Sequence, residues 1–227
     1  MKNRWKKILS AVLLSGSLCL GSAAAAVPAD EPYINDYLYE LRQDEAVKQV
    51  LFVNIGQGTS AHIVFMEKEA ENGAWMLTRS CDGVIGKNGG GKTVEGDMKT
   101  PYGVFNIRQG FGIKPNPGTS LPYTQVTEDT YACGCELYYN QIIDAEQTGH
   151  ACEYGEHMIE YSPYYNYGLA IDYNRENQLG LGSAIFIHCM ARPWTSGCVA
   201  LPEEDMKYIL QHCDAYAKVV IRQYIAP

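Results

Sequence analysis

The sequence predicts a mostly β fold, either a β-sandwich or an incomplete barrel, with one helix near the C-terminus. Three observations lead there. Seven short runs rich in Val, Ile, Phe and Tyr recur along the chain, each bounded by Gly, Asn, Asp or Pro. Little helical periodicity lies between them, which argues against alternating strand–helix units. After residue 202, and only there, apolar residues repeat persuasively at helical spacing.

The first element is a leader. MKNRWKK is basic, ILSAVLLSGSLCLG is apolar but too short for a membrane span, and SAAAA is small. That order reads as a secretory signal over residues 1–26, cut after Ala24, Ala25 or Ala26. An uncut N-terminal anchor is the alternative, and a transient hold on the membrane through this segment fits either. Both place the rest of the chain outside the cytoplasm, in the cell envelope, periplasm or medium. Cys19 is not expected to carry lipid, because bulky Leu18 precedes it.

Residues 27–48 form a short polar leader with a helical turn or two, and residues 49–227 form one domain. Its expected strands are QVLFVNI, AHIVFMEK, AWMLTRS, GVFNIRQ, YGLAIDYN, SAIFIHCM and KVVIRQYI. Pro202 suits a first helical position, Glu203, Glu204 and Asp205 suit the first turn, and Met206, Ile209, Leu210 and Cys213 make one apolar face. The glycine-crowded stretch 86–103 lacks the spacing of a phosphate-binding loop and is expected to be a mobile turn leading into a strand. Residues 127–157 form a long, tyrosine-rich loop holding three cysteines and two histidines.

Net charge is −8, and −12 once Lys2, Arg4, Lys6 and Lys7 leave with the signal. Such a chain has no general electrostatic hold on nucleic acid or anionic lipid, so a local site must do the binding. Without Cys19, seven of the eight cysteines remain, an odd number that leaves at least one free thiol or an intermolecular bond. If Cys198 is reactive, the other six have the numbers for three disulfides, in a pairing the spacing does not choose, or remain reduced.

IFIHCMARPWTSGCVALP, residues 185–202, raises the question of chemistry. A thiol is mostly protonated at neutral pH and needs a base or a positive field to act as a nucleophile. Strand alternation sets Phe186 and His188 on one face and Cys189 on the other. The loop ARPWTSG then brings Cys198 within reach of the imidazole. Gly197 leaves room for a carbonyl and lets the backbone aim N–H groups at an oxyanion. Taken alone, the pair is a weak signal and reads more readily as a structural cysteine beside a satisfied histidine.

The wording of these segments goes further. T-S-G-C-V with I-F-I-H upstream resembles the active-site signature of the L,D-transpeptidase catalytic domain, the YkuD-like family of bacterial cell-wall enzymes. EGDMKTPYGVFNI is similar to that family's T-P-x-G-x-[YF]-x-I segment, and AIDYN with LPEEDMKYIL resembles the branch whose motif ends in GCVAL. The resemblance runs from about residue 50 to the C-terminus. It implies the family's β fold, Cys198 as nucleophile, His188 as base, and the Cys189 carbonyl as the group that orients the imidazole. The Gly197 and Cys198 N–H groups would line the oxyanion hole, and Thr195 would match the motif's first residue. Thr195, Ser196 and Arg192 are the expected substrate contacts. Ser196 stands where many members carry a second histidine, and Ala200 where many carry Arg or Asn.

The resemblance implies acyl transfer on peptidoglycan stem peptides, with water as acceptor giving an L,D-carboxypeptidase. A wall-binding module that has lost turnover is the rival. No cofactor is expected. Cys133, Cys135, His150, Cys152 and His157 invite a zinc reading, but C-x-C is less typical of zinc than C-x-x-C, and disulfide pairing is preferred. His157 reads as a loop residue satisfied by hydrogen bonds. Tyr161, Tyr164, Tyr165 and Tyr167 suit cross-strand packing at least as well as substrate stacking.

Overall fold

The computed structural model describes residues 25–26, 41, 44–70 and 73–223. Thirteen strands are described: β1 (Ala25–Ala26), β2 (Gln49–Ile55), β3 (Ser60–Lys68), β4 (Trp75–Val84), β5 (Gly103–Gly112), β6 (Tyr123–Gln125), β7 (Thr130–Cys133), β8 (Gln141–Asp144), β9 (Gly155–His157), β10 (Gly168–Ile171), β11 (Phe186–Cys189), β12 (Val199–Leu201) and β13 (Lys218–Gln223). Helix α1 (Ala145–Thr148) is a single turn, and α2 (Glu203–His212) follows β12. Apart from Ala25 and Ala26, which pair with Leu77 and Met76 of β4, the expected signal segment lies outside the described residues, as does most of the 27–48 leader. No described helix is long and apolar enough to cross a membrane.

Of the two expected arrangements the barrel is realised, and it closes. The ring runs β4–β12–β11–β10–β5–β13–β2–β3 and returns to β4. A separate sheet, ordered β8–β7–β9, carries the cysteine-rich segment. The inward side chains and the apolar face of α2 share one core, in which Leu51, Val53, Ile63, Leu169, Ile187, Val199, Met206, Leu210 and Ile221 are at most 1% exposed.

Strand β2 shows how pattern becomes packing. Every residue of QVLFVNI is buried. Leu51, Val53 and Ile55 face the barrel core, while Val50 and Phe52 join a second cluster with Val64, Met66 and Trp75. A strand covered on both faces needs a continuous apolar run rather than alternation, as expected beside the parallel partner β13.

The helix begins one residue later than expected: Pro202 is its N-cap with extended backbone (ψ 143°), and Cys213 its C-cap. The glycine-rich stretch 86–103 departs most from expectation, because it is a pinned scaffold. The Asp97 carboxylate accepts the Thr93, Val94 and Lys99 N–H groups and pairs with the buried Lys92 ammonium at 3.0 Å. Those donors outweigh partial burial and hold its pKa well below the usual carboxylate range.

Candidate active site

The site forms where β11 and β12 run side by side. They are parallel, with Ile187 opposite Val199, His188 opposite Ala200 and Cys189 opposite Leu201. Alternation sends Ile187, Cys189, Val199 and Leu201 into the barrel core. Phe186 and Cys198 pack instead in a third cluster outside it, with Phe111, Met158 and Tyr165. His188 shares their side, its ring edge-on to Tyr165 at 5.5 Å and to Tyr164 at 6.2 Å.

The His188 Nδ1–H donates to the Cys189 carbonyl at 2.9 Å. A carbonyl only accepts, so this bond fixes the neutral tautomer with Nε2 bare. Burial drives the His188 pKa from 6.5 down to about 4, and the Arg192 cation pushes the same way against the carbonyl. Burial and the Glu156 charge push the Cys198 thiol from 9.0 up to about 12. The resting pair is therefore neutral thiol and neutral imidazole.

The two groups line one cleft, but no hydrogen bond joins them. The Cys198 thiol donates to the Ala184 carbonyl at 3.2 Å, and its sulfur accepts the Phe186 N–H at 3.3 Å. The direct imidazole–sulfur bond expected from the spacing is thus replaced by backbone partners on the approach to β11. Both line a small cleft of about 60 Å³ with Tyr161, Tyr164, Tyr165 and Arg192. Cys198 also lines a larger cavity of about 610 Å³, walled by Met98, Tyr139, Tyr154 and Gly155. The second space is about ten times the first. Glu156, Ser196 and Cys198 border both spaces.

The loop into Cys198 is fixed from beneath. Thr195 Oγ1 donates to the Cys198 carbonyl at 2.6 Å and accepts the Gly197 N–H at 3.1 Å. Its backbone pairs with Ile85 and Lys87. Thr100, fully buried, accepts the Gly86 N–H and donates to the Gly197 carbonyl at 2.8 Å. Gly197 has φ +145°, and a Cβ there would lie 2.9 Å from the Lys99 carbonyl.

These bonds bear on two of the expected contacts. The Gly197 N–H donates to Thr195 Oγ1, while the Cys198 N–H has no acceptor among the described residues. The Thr195 hydroxyl is engaged on both sides within the turn, by the Cys198 carbonyl and the Gly197 N–H. Ser196 is exposed at the rim of both spaces. Arg192 lies over the Tyr164 ring at 4.9 Å and the Trp194 ring at 5.0 Å, and its Nε donates to Tyr164 Oη. No described carboxylate pairs with it. Ala200 is buried beside Val84, away from both spaces.

The seven described cysteines are free thiols, so the preferred disulfides are not formed. Cys81 packs near Asp205, Cys189 donates to the Tyr167 carbonyl, and Cys213 ends α2, each among its own neighbours. His157 stands apart from the other four candidate zinc ligands, stacked on Tyr131 at 4.6 Å and bonded to the Glu128 carbonyl. The tyrosines lie outside the named strands but pack against them, Tyr165 edge-on to Phe111 of β5 at 5.4 Å and to Phe186 of β11 at 5.9 Å. Tyr161 ends a 3₁₀ turn and stacks on Tyr165 at 5.2 Å, while Tyr167 turns into the barrel core. Sequence reasoning missed Glu156, whose carboxylate accepts the Tyr165 hydroxyl at the junction of the two spaces. An acid beside the singled-out His157 was its only signal.

The family model for the L,D-transpeptidase catalytic domain (YkuD) matches residues 34–221. No curated protein matches the chain.

Proposed function

Because the chain belongs to the L,D-transpeptidase catalytic-domain family, we propose that it is an exported cysteine acyltransferase acting on peptidoglycan stem peptides. The observation that carries this reading is the His188 tautomer: Nδ1–H is tied to Cys189, so Nε2 is a free base in the cleft that Cys198 lines.

The neutral resting pair indicates general-base catalysis rather than a standing thiolate. The Cys198 thiol leaves the Ala184 carbonyl and turns to Nε2, which takes the proton as sulfur bonds to the acyl carbon of the stem's third residue. The Cys198 N–H stabilises the oxyanion. The imidazolium then protonates the departing amine, the C–N bond breaks, and terminal D-alanine leaves a thioester behind. An acceptor amine attacks the thioester, Nε2 takes its proton, and that proton returns to sulfur as the new amide forms. Arg192, without a carboxylate partner, suits a stem carboxylate. Two spaces meeting at one sulfur suit a donor in the larger and access for an acceptor from the other side. Water in the acceptor's place makes the same chemistry an L,D-carboxypeptidase reaction.

One observation favours a second reading, a wall-binding module without turnover: the sulfur is satisfied by Ala184 and Phe186 rather than by the base. A carbapenem separates the two, since its strained carbonyl acylates a base-assisted thiol. Acylation of wild type at Cys198, together with Cys198→Ala that folds but releases no D-alanine from a stem tetrapeptide, is the expected outcome. Unmodified Cys198 in a protein that still sediments with peptidoglycan supports the module.

A further inference from the structure

Beyond the acyl-transfer site, a second constellation lies in the sheet β8–β7–β9. We infer that Cys133, Cys135, His150 and Cys152 bind one zinc ion, which staples the wall of the larger cavity.

Their four donor atoms, three sulfurs and one imidazole nitrogen, all lie within 4.8 Å of one another. Cys135 Sγ is 3.8 Å from Cys152 Sγ, Cys133 Sγ is 3.8 Å from His150 Nε2, and Cys152 Sγ is 2.8 Å from Cys133 Sγ. Tetrahedral zinc with three sulfurs and one nitrogen separates its donors by about 3.5–3.8 Å. Two of these separations already fit, and the third needs to open by about 1 Å to match. A single disulfide would use two of the four groups and leave a thiol and an imidazole converging without purpose. Three thiolates with one imidazole are a donor set that suits zinc and does not suit calcium or magnesium.

The surrounding backbone is shaped to the sulfurs. The Cys135 N–H points at Cys133 Sγ at 3.4 Å, and the Tyr154 N–H at Cys135 Sγ at 3.5 Å. Such N–H···S contacts orient thiolates and offset their charge. A Cβ on Gly155 would lie 2.7 Å from Cys152 Sγ, and one on Gly134 would lie 2.7 Å from the Tyr154 carbonyl. Gly155 thus leaves space that the cluster occupies, and Gly134 lets the Tyr154 backbone approach β7. The sequence supplies two short knuckles, Cys133-x-Cys135 on the end of β7 and His150-x-Cys152 before β9.

The same segment forms the wall facing Cys198, since Gly134, Tyr154, Gly155 and Glu156 border the larger cavity. A metal at this point ties β7 to the chain entering β9 and fixes the position of Glu156. The inference is independent of whether Cys198 turns over.

The test is metal content of the full chain, expressed with zinc and purified under reductant without chelator, read by inductively coupled plasma mass spectrometry. Wild type is expected to hold about one zinc per chain. Cys135→Ser and His150→Ala should each lower zinc affinity at least roughly tenfold, while Cys198→Ala keeps the ion. Negligible zinc in wild type, whether its thiols are free or paired, overturns the inference. So does undiminished zinc in both ligand variants, or loss of zinc in Cys198→Ala. Cobalt added to metal-free wild type gives a readout independent of variant folding. Intense visible bands of a tetrahedral thiolate complex are expected, and a weak octahedral spectrum contradicts the site.

Discussion

Taken out of water among Tyr164, Tyr165 and Arg192, the His188 imidazole resists protonation until about pH 4. An unfolded chain protonates the same ring near 6.5. Between those values the unfolded state binds a proton that the fold does not, so stability falls as pH falls through that window and levels off below about 4. The full effect is on the order of 3 kcal/mol. Urea unfolding of wild type and His188→Asn at several pH values should show a flatter acid dependence in the variant. Turnover carries the same mark: the acid limb of kcat/KM is expected near pH 4, and a limb at 6.5 would indicate a solvated base. Glu156 lies where both spaces meet, its pKa raised by burial although the Tyr165 hydroxyl opposes this. Its carboxyl group, bonded to the Tyr165 hydroxyl, lies where an acceptor amine would enter. Glu156→Gln should lower cross-linked product relative to hydrolysed product severalfold in product analysis, with thioester formation less affected.

The loop before Cys198 and the stretch 86–103 act as one unit, joined through Thr100 and Thr195. Thr100→Val keeps the volume but leaves the Gly86 N–H and the Gly197 carbonyl without this partner. A buried loss of that kind costs about 1–3 kcal/mol, visible as a lower urea midpoint, and kcat should fall more than KM rises because Cys198 loses its support. Gly197→Ala should be worse, since it combines the φ of +145° with a Cβ pressed on the Lys99 carbonyl. Much of this region was legible in the sequence. GVFNI became β5, IFIHC became β11, and alternation separated His188 from Cys189. The hydrogen-bonding of 86–103 was not legible, because glycine density marks turns without revealing which carboxylate or hydroxyl ties them together. Short strands such as β7, β9 and β12 also escaped: three or four residues carry no period.

The closed barrel supplies rigidity, and the sheet β8–β7–β9 supplies a wall over one of its outer faces. The motif TSGCVAL singles out Cys198. Much of the cavity beside it is made by residues between Lys92 and Glu156, beyond the reach of local pattern. That division explains why sequence singles out His188 and Cys198, which line one cleft, but reveals neither Glu156 nor the sulfur's hydrogen-bond partners. Acyl transfer through Cys198 is tested most directly by mass spectrometry of the protein mixed with a stem tetrapeptide and an amine acceptor. The expected result is an acyl adduct mapped to Cys198, free D-alanine, and a cross-linked product that disappears in Cys198→Ala. D-alanine release undiminished in Cys198→Ala, or an adduct on any other residue, would contradict it.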